Sequence, residues 1–218
     1  MSWPGGAKLA FWIANNVEHY EFTPPANPHR QFWTRTPAPD VMQYALRDYG
    51  NRVGFWRLLD ALDSYDVPVT ASVNLGVLEA FPEIREAIIS RGWDILSHGI
   101  YNTSFVYGMS VDEERAWVGT NIELVKKHVG SALTGLFGPG ASLSPNSMEV
   151  WAEAGINHVV DWFVDDQPFP LLTSRGKLVN IPYSWEVNDA RVMGGAAFGG
   201  LYEVERFVQM CRDHFDML

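Results

Sequence analysis

Apolar and polar positions alternate along this chain between two periods. Lys8 to Ala14 is a continuous apolar run fit for a strand buried on both faces. It empties into a polar stretch, Asn15-Asn16-Val17-Glu18-His19-Tyr20-Glu21. Residues 23–40 hold five prolines without periodicity and read as a long surface loop. From Arg52 to Tyr65 the apolar positions Val53, Phe55, Trp56, Leu58, Leu59 and Leu62 follow helical spacing. Pro68 to Val73 reads as a second strand ending at Asn74, and Gly76 to Ser90 as a helix split at Pro82. Trp93 to Ser97 is the third strand. Ser110, with Glu113 three residues on, starts a helix in the manner of a capping box, to run to about His128 before Gly130. Leu133 to Phe137 is strand four. Ser144-Pro145 opens a helix that Gly155 closes, and Asn157 to Val160 is strand five. Leu178 to Ile181 is strand six, and a last helix runs from about Leu201.

Strands alternating with helices across short connections predict parallel βα units, and a barrel fits better than an open sheet. No Gly-x-Gly-x-x-Gly follows the first strand, which argues against a dinucleotide fold. Polar residues recur at the strand exits: Asn16 and Glu18, Asn74, His98, Gly138-Pro139, Asp161 and Tyr183. In a parallel barrel those exits meet at one face, where such folds keep their active sites. The chain ends at Asp216-Met217-Leu218, in or just after an amphipathic helix. Either the barrel is incomplete or the sequence is a fragment; residues 1–218 are expected to form one domain in both cases.

Composition narrows the function. A chain of 218 residues, 47% hydrophobic, can bury a large core. A formal charge of −10 disfavours nucleic acid and anionic membrane surfaces as partners. The single cysteine, Cys211, excludes an internal disulfide framework and points to a reducing compartment. No secretory signal region and no membrane-length apolar run are present. The expected partner is a small-molecule or carbohydrate substrate, in the cytoplasm. The open edges of such a barrel would expose apolar surface, so the chains are expected to associate as a homo-oligomer.

Ser97-His98-Gly99 is the most informative stretch, because an imidazole at a strand exit can handle a proton or hold a metal. Glu18, at the exit of strand one, can act beside it as acid, base or ligand. Asp161-Trp162-Phe163-Val164-Asp165-Asp166 is a second acidic cluster, in which adjacent carboxylates can raise a pKa. Asp161, directly at a strand exit, is its best candidate, with Asp165 in support. Asn16, Tyr101, Asn102, Pro139 and Tyr183 stand where an amide or hydroxylated substrate could be oriented. His19, His29, His128, His158 and His214 show no ligand spacing, and His128 and His214 read as surface residues. No Gly-x-Ser-x-Gly is present, and Cys211 has no paired histidine.

An ordered set of short motifs carries a family resemblance. It comprises Trp3-Pro4-Gly5-Gly6-Ala7, Asn16-Val17-Glu18, Tyr49-Gly50-Asn51-Arg52-Val53-Gly54, Ser97-His98-Gly99, Gly138-Pro139, Asp165-Asp166-Gln167-Pro168-Phe169 and Ile181-Pro182-Tyr183. The set resembles the polysaccharide deacetylase (NodB-homology) family, in its branch near the cofactor-independent allantoinases. The resemblance implies a distorted (β/α) barrel and hydrolysis of a non-peptide carbon–nitrogen bond. Metal-dependent members carry two aspartates at the first strand exit and a His-x-x-x-His pair at the third. Here Asn16 takes the base position and Glu18 the ligand position; His98 matches the first histidine and Asn102 replaces the second. The arginine of the strand-four motif is absent from Phe137-Gly138-Pro139-Gly140. These departures fit the metal-free branch, so no cofactor is expected, while a weak divalent site of Glu18, His98 and Asn102, for zinc or a similar ion, stays open. The family's late leucine–histidine pair is also absent, which favours a barrel lacking its last strand and helix. The resemblance thus implies a hydrolase of a small amide, ureide or N-acetylated carbohydrate, with His98 and Glu18 catalytic. Its rivals are a catalytically inactive carbohydrate- or ureide-binding module on the same fold and a metal-dependent deacetylase with altered ligands.

Overall fold

The computed structural model describes residues 3–25, 39–190 and 203–218. Most of the expected Pro-rich loop at 23–40, His29 included, therefore lies outside the described residues, as does the expected start of the last helix at Leu201. Among the described residues seven strands form one sheet in the order β1-β2-β3-β4-β5-β7-β6. They are β1 (Ile13–Val17), β2 (Val69–Val73), β3 (Asp94–Ser97), β4 (Gly135–Leu136), β5 (His158–Val159), β6 (Phe169–Leu171) and β7 (Leu178–Asn180). All neighbouring pairs are parallel except β6 with β7. The helices are α1 (Val41–Tyr49), α2 (Phe55–Tyr65), α3 (Val77–Ala80), α4 (Pro82–Ser90), α5 (Val111–His128), α6 (Ser147–Glu153) and α7 (Val204–Met217). A single π-helical turn, Gly50–Gly54, joins α1 to α2.

The register runs straight across the sheet. Val17 pairs with Val73, Val73 with Ser97, Ser97 with Leu136, Leu136 with Val159, and Val159 with Asn180. Strand side chains alternate between faces. Val73, Leu136 and Val159 therefore join the main core under the helices, with Trp151, Ile88, Val118 and Val125. The next residue of each strand turns to the opposite, inner face. There Leu96, Phe137 and Val160 form a second cluster with Trp12, Ile181 and Tyr183. Glu18, Asn74 and His98 stand in that inner rank, one place beyond the last paired row.

Several boundaries differ from the sequence reading, each for a physical reason. The first strand is Ile13–Val17, not Lys8 to Ala14: its pairing to Val69–Val73 sets the register, and Phe11 is left exposed. Asn15 and Asn16 thus lie inside the strand. The sixth helix begins at Ser147, because the Ser144 hydroxyl is committed to the buried Glu114 carboxylate at 2.5 Å and to the Asn146 N–H. The antiparallel strand β6 carries Pro170, which an edge position tolerates. His214 is half-buried against the Ser184 hydroxyl, 3.1 Å away, and His128 is also half-buried; neither stands free on the surface. The splits at Pro82 and the capping box of Ser110 and Glu113 are as expected. No helix among the described residues is long and apolar enough to cross a membrane.

The capping box is the local feature most directly tied to sequence. Ser110 Oγ accepts the Glu113 N–H, and the Glu113 carboxylate accepts the Ser110 N–H at 2.8 Å. Replacing Ser110 with Ala is expected to cost about 1 kcal/mol and lower the melting temperature by about 2–4 °C, read by circular dichroism on both proteins.

Candidate active site

His98 is the fixed point of the site. It is 2% exposed, its backbone N–H donates to Val73 O at 2.9 Å, and its ring lies 4.6 Å from that of Phe137. Behind it Gly99 adopts φ +74°, where a Cβ would come within 3.0 Å of both Pro139 and the Trp117 ring. This explains the glycine in Ser-His-Gly. Ser97 packs outward, its hydroxyl on Asn121 Oδ1 at 2.6 Å. The Nδ1 of His98 lies 3.1 Å from Phe137 O, an acceptor only, so Nδ1 carries a proton. In the neutral ring Nε2 then presents a lone pair, and it faces Glu18 Oε1 at 3.7 Å.

Glu18 is reached through a relay that the sequence reading did not anticipate. The Tyr20 hydroxyl donates to Glu18 Oε2 at 2.5 Å, and Asn102 Nδ2 donates to the Tyr20 oxygen at 2.6 Å. Burial pushes the Glu18 carboxyl up, but the neighbouring His98 in its protonated form, the Tyr20 hydroxyl and the Arg47 charge outweigh it and hold Glu18 below its ordinary value. Burial and the Glu18 charge push the Tyr20 phenol up, so it stays a donor. Arg47 sits over the Tyr20 ring, 4.8 Å from its centre.

On the other flank Tyr183 accepts from Asn16 Nδ2 at 2.9 Å and from Asn188 Nδ2 at 2.6 Å. Its ring continues an aromatic wall. Phe137 lies 5.0 Å from Tyr183, Phe163 5.7 Å from Tyr183, and Trp185 stacks on Phe163 at 6.0 Å. Phe163 and Trp185 are further site candidates that no motif or spacing in the sequence singled out.

The remaining expected residues separate. Asp161 is buried at its strand exit, where Oδ1 accepts the Gly138 N–H at 2.8 Å and Oδ2 is left unpartnered. Burial pushes its pKa up to about 7. Gly138 cannot be replaced freely, since a Cβ would meet Ser142 O at 2.5 Å. Asp165 is exposed and accepts the Gln167 N–H at 2.9 Å in a local turn, so the structure places it with the turn and not with Glu18 and His98. Pro139 is buried against Gly99, and Tyr101 lies across Gly76 with its ring 5.5 Å from His19.

Residues 37–159 match the family model for polysaccharide deacetylase. The chain belongs to the polysaccharide deacetylase family. A Schizosaccharomyces pombe relative, "Putative polysaccharide deacetylase", is 26% identical over 242 residues, covering 99% of this chain and 74% of its own. The crystal structure of a "probable polysaccharide deacetylase" from Pseudomonas aeruginosa PAO1 superposes with a TM-score of 0.79 at 25% identity, over 99% of this chain and 74% of that one. The crystal structure of Puue allantoinase gives 0.79 at 23% identity, with the same coverage. The fold is accordingly the distorted (β/α) barrel of this family, its sheet unclosed among the described residues.

The metal that this deacetylase family implies can be tested on the donors present. Glu18 and His98 supply two. Asn102, at the third position, offers only a neutral amide oxygen, its Nδ2 being given to Tyr20, and the second Glu18 oxygen accepts from the same hydroxyl. No group of three His, Cys, Asp or Glu suited to a metal exists among the described residues. Zinc sites take three protein ligands or more from such groups, so the residues present do not fit one.

In this deacetylase-family site the raised Asp161 pKa has a consequence for stability. A carboxyl near 3.8 when unfolded and about 7 when folded binds an extra proton in the folded state between those values. Stability therefore falls as pH rises through that window, by at most about 1.4 kcal/mol per pH unit. Asp161→Asn, neutral throughout, should flatten this slope and be more stable than the parent protein above pH 7. Urea unfolding at a series of pH values checks it; parallel curves for the two proteins would contradict the assignment.

Proposed function

We propose that this polysaccharide deacetylase family member is a hydrolase of a non-peptide carbon–nitrogen bond in a small amide or ureide. The observation that carries the reading is the His98 Nε2 facing the Glu18 carboxylate across 3.7 Å at the inner sheet face. A water held between two acceptors is oriented by one and deprotonated by the other. In this reading Glu18 orients the water and His98 takes its proton as the oxygen bonds to the substrate carbonyl carbon. His98 then gives that proton to the nitrogen as the carbon–nitrogen bond breaks. Asp161 supports the site from behind Gly138.

Hydrogen-bond direction favours a ureide over an N-acetylated carbohydrate. The charge on Glu18 makes Tyr20 a donor, which obliges Asn102 to donate to Tyr20. Asn102 Oδ1 and Asn16 Oδ1 are left buried without partners. Those oxygens and Glu18 Oε1 are acceptors. Tyr183, already accepting twice, keeps its own O–H to give. Such a surplus of unmet acceptors beside one donor suits a ligand with several N–H groups and a carbonyl. Two of the similar proteins point to the two substrate classes weighed here: Puue allantoinase and the Pseudomonas aeruginosa deacetylase.

A hydrolysis screen of ureides and N-acetyl sugars, with and without EDTA and added zinc, tests this. Expected are turnover of a ureide or simple amide, no loss with EDTA, and a fall of about 10²–10⁴-fold in kcat for His98→Ala and for Glu18→Gln. Full activity in His98→Ala sinks the assignment. Tight binding of a ureide without turnover would replace it by the binding-module reading.

We further propose that the protein is cytoplasmic and self-associates. Its single cysteine supports the first; the exposed Val41, Leu46, Val208 and Phe215 on α1 and α7 support the second. Mass photometry should find dimers or larger species at micromolar concentration; monomers alone would contradict association.

A further inference from the structure

The ladder between β1 and β2 stops just short of the groups it must align. Between β2 and β3 the backbone stays zipped past the site, with Leu75 N–H on Gly99 O at 2.8 Å and Gly76 N–H on Ile100 O at 3.0 Å. Between β1 and β2 the ladder reaches Asn74 N–H on Val17 O at 3.0 Å. The evenly spaced bonds of a parallel pair make His19 N–H to Asn74 O the next rung. That rung is missing, because Asn74 O accepts the Val77 N–H at 2.9 Å to start α3. The Asn74 side chain supplies it instead: Oδ1 accepts the His19 N–H at 2.8 Å. Its Nδ2 donates the other way, to the carbonyl of His98.

One carboxamide thus ties the residue following Glu18 to the backbone of His98. The same Glu18–His19 peptide is gripped on its carbonyl by Asn51 Nδ2 at 2.8 Å, delivered from the π-helical turn. Asn102 N–H holds the next carbonyl, His19 O, at 2.8 Å. Asn74 is fully buried, so no water replaces either of its bonds. The two partners fix its chemistry: one must be given a proton and the other must give one. A carboxylate cannot donate, an aliphatic side chain can do neither, and a serine hydroxyl is too short to span both.

We infer that Asn74 is a positioning residue which holds the Glu18 carboxylate in register with the His98 imidazole. Its effect on turnover rests on the hydrolase reading above; its effect on geometry does not. The geometric test is an NMR double-mutant cycle on protein labelled with ¹⁵N-histidine, with the His98 ring signals assigned from a His98→Asn variant. Glu18→Gln is expected to move the His98 Nε2 resonance in the parent protein. In Asn74→Ala that Glu18-dependent shift should fall by at least half. Asn74→Ser, which keeps a polar group but cannot bridge, provides the same reading should the alanine variant not fold. An undiminished Glu18-dependent shift in a folded Asn74 variant overturns the proposal.

Where a hydrolysed substrate has been found, Asn74→Ala or Asn74→Ser should lower kcat by about 10²-fold with KM changed less than about threefold, since misplacement of reacting groups costs turnover more than binding. The two readings fail separately. A parent protein without hydrolytic activity defeats the hydrolase reading and leaves the NMR cycle readable, and an unchanged cycle defeats the Asn74 role whatever the activity.

Discussion

The position of β2 between β1 and β3 decides where every group at the site can stand. Parallel pairing in one register brings the exits of β1, β2 and β3 to the same end and the same face. Glu18, Asn74 and His98 become neighbours although 80 residues of sequence separate the first from the last. A slip of one residue would turn the whole rank toward the helices. The apolar residues of the preceding row prevent it: Val73, Leu136 and Val159 are fully buried in the main core, and reversing them would take all three away from the helices and put polar Glu18, Asn74 and His98 in that apolar layer. Packing on the outer face thereby fixes chemistry on the inner one.

Charge then orders the hydrogen bonds. Once Glu18 is ionised, Tyr20 must donate to it and Asn102 must donate to Tyr20. The third position of the family's metal set is in this way committed to a proton-donating chain. A phenol reaching Glu18 stabilises its charge by a hydrogen bond, with the Arg47 charge in support. On the far side the two amides donating to Tyr183 leave its hydroxyl hydrogen to point elsewhere.

Much of this was legible in the chain, for identifiable reasons. His98 stood out because a short apolar run, a serine and a glycine with positive φ are local signals, and each has a local cause. Asp161 was legible for the same reason, as the first polar residue after a buried strand. The start of β1 was not, because Lys8 to Ala14 shows no alternation and only its partner strand sets the register. Tyr20 and Asn51 were hidden among ordinary polar residues. Their roles depend on a hydroxyl direction and on a π-helical turn, both products of tertiary contact. Asp165 was overvalued because adjacency in sequence says nothing of burial: the same acidic stretch holds a buried carboxyl at 161 and a solvated turn at 165.

The contrast between Glu18 and Asp161 shows how one functional group can serve two purposes within a single sheet end. Both lose hydration, and desolvation alone would raise both. Glu18 recovers its charge because the Tyr20 hydroxyl and the Arg47 charge converge on it, joined by His98 when its ring is protonated. Asp161 meets only backbone N–H groups, of which Gly138 is one, and these do not offset burial. Its proton is therefore retained close to neutrality while that of Glu18 is lost. Pairs of carboxyls whose surroundings push them in opposite directions divide proton-accepting from proton-holding roles. Glu18 is the permanent acceptor beside the imidazole. Asp161 bears on the Gly138-Pro139 turn it anchors, whose proline packs against Gly99, the residue following His98.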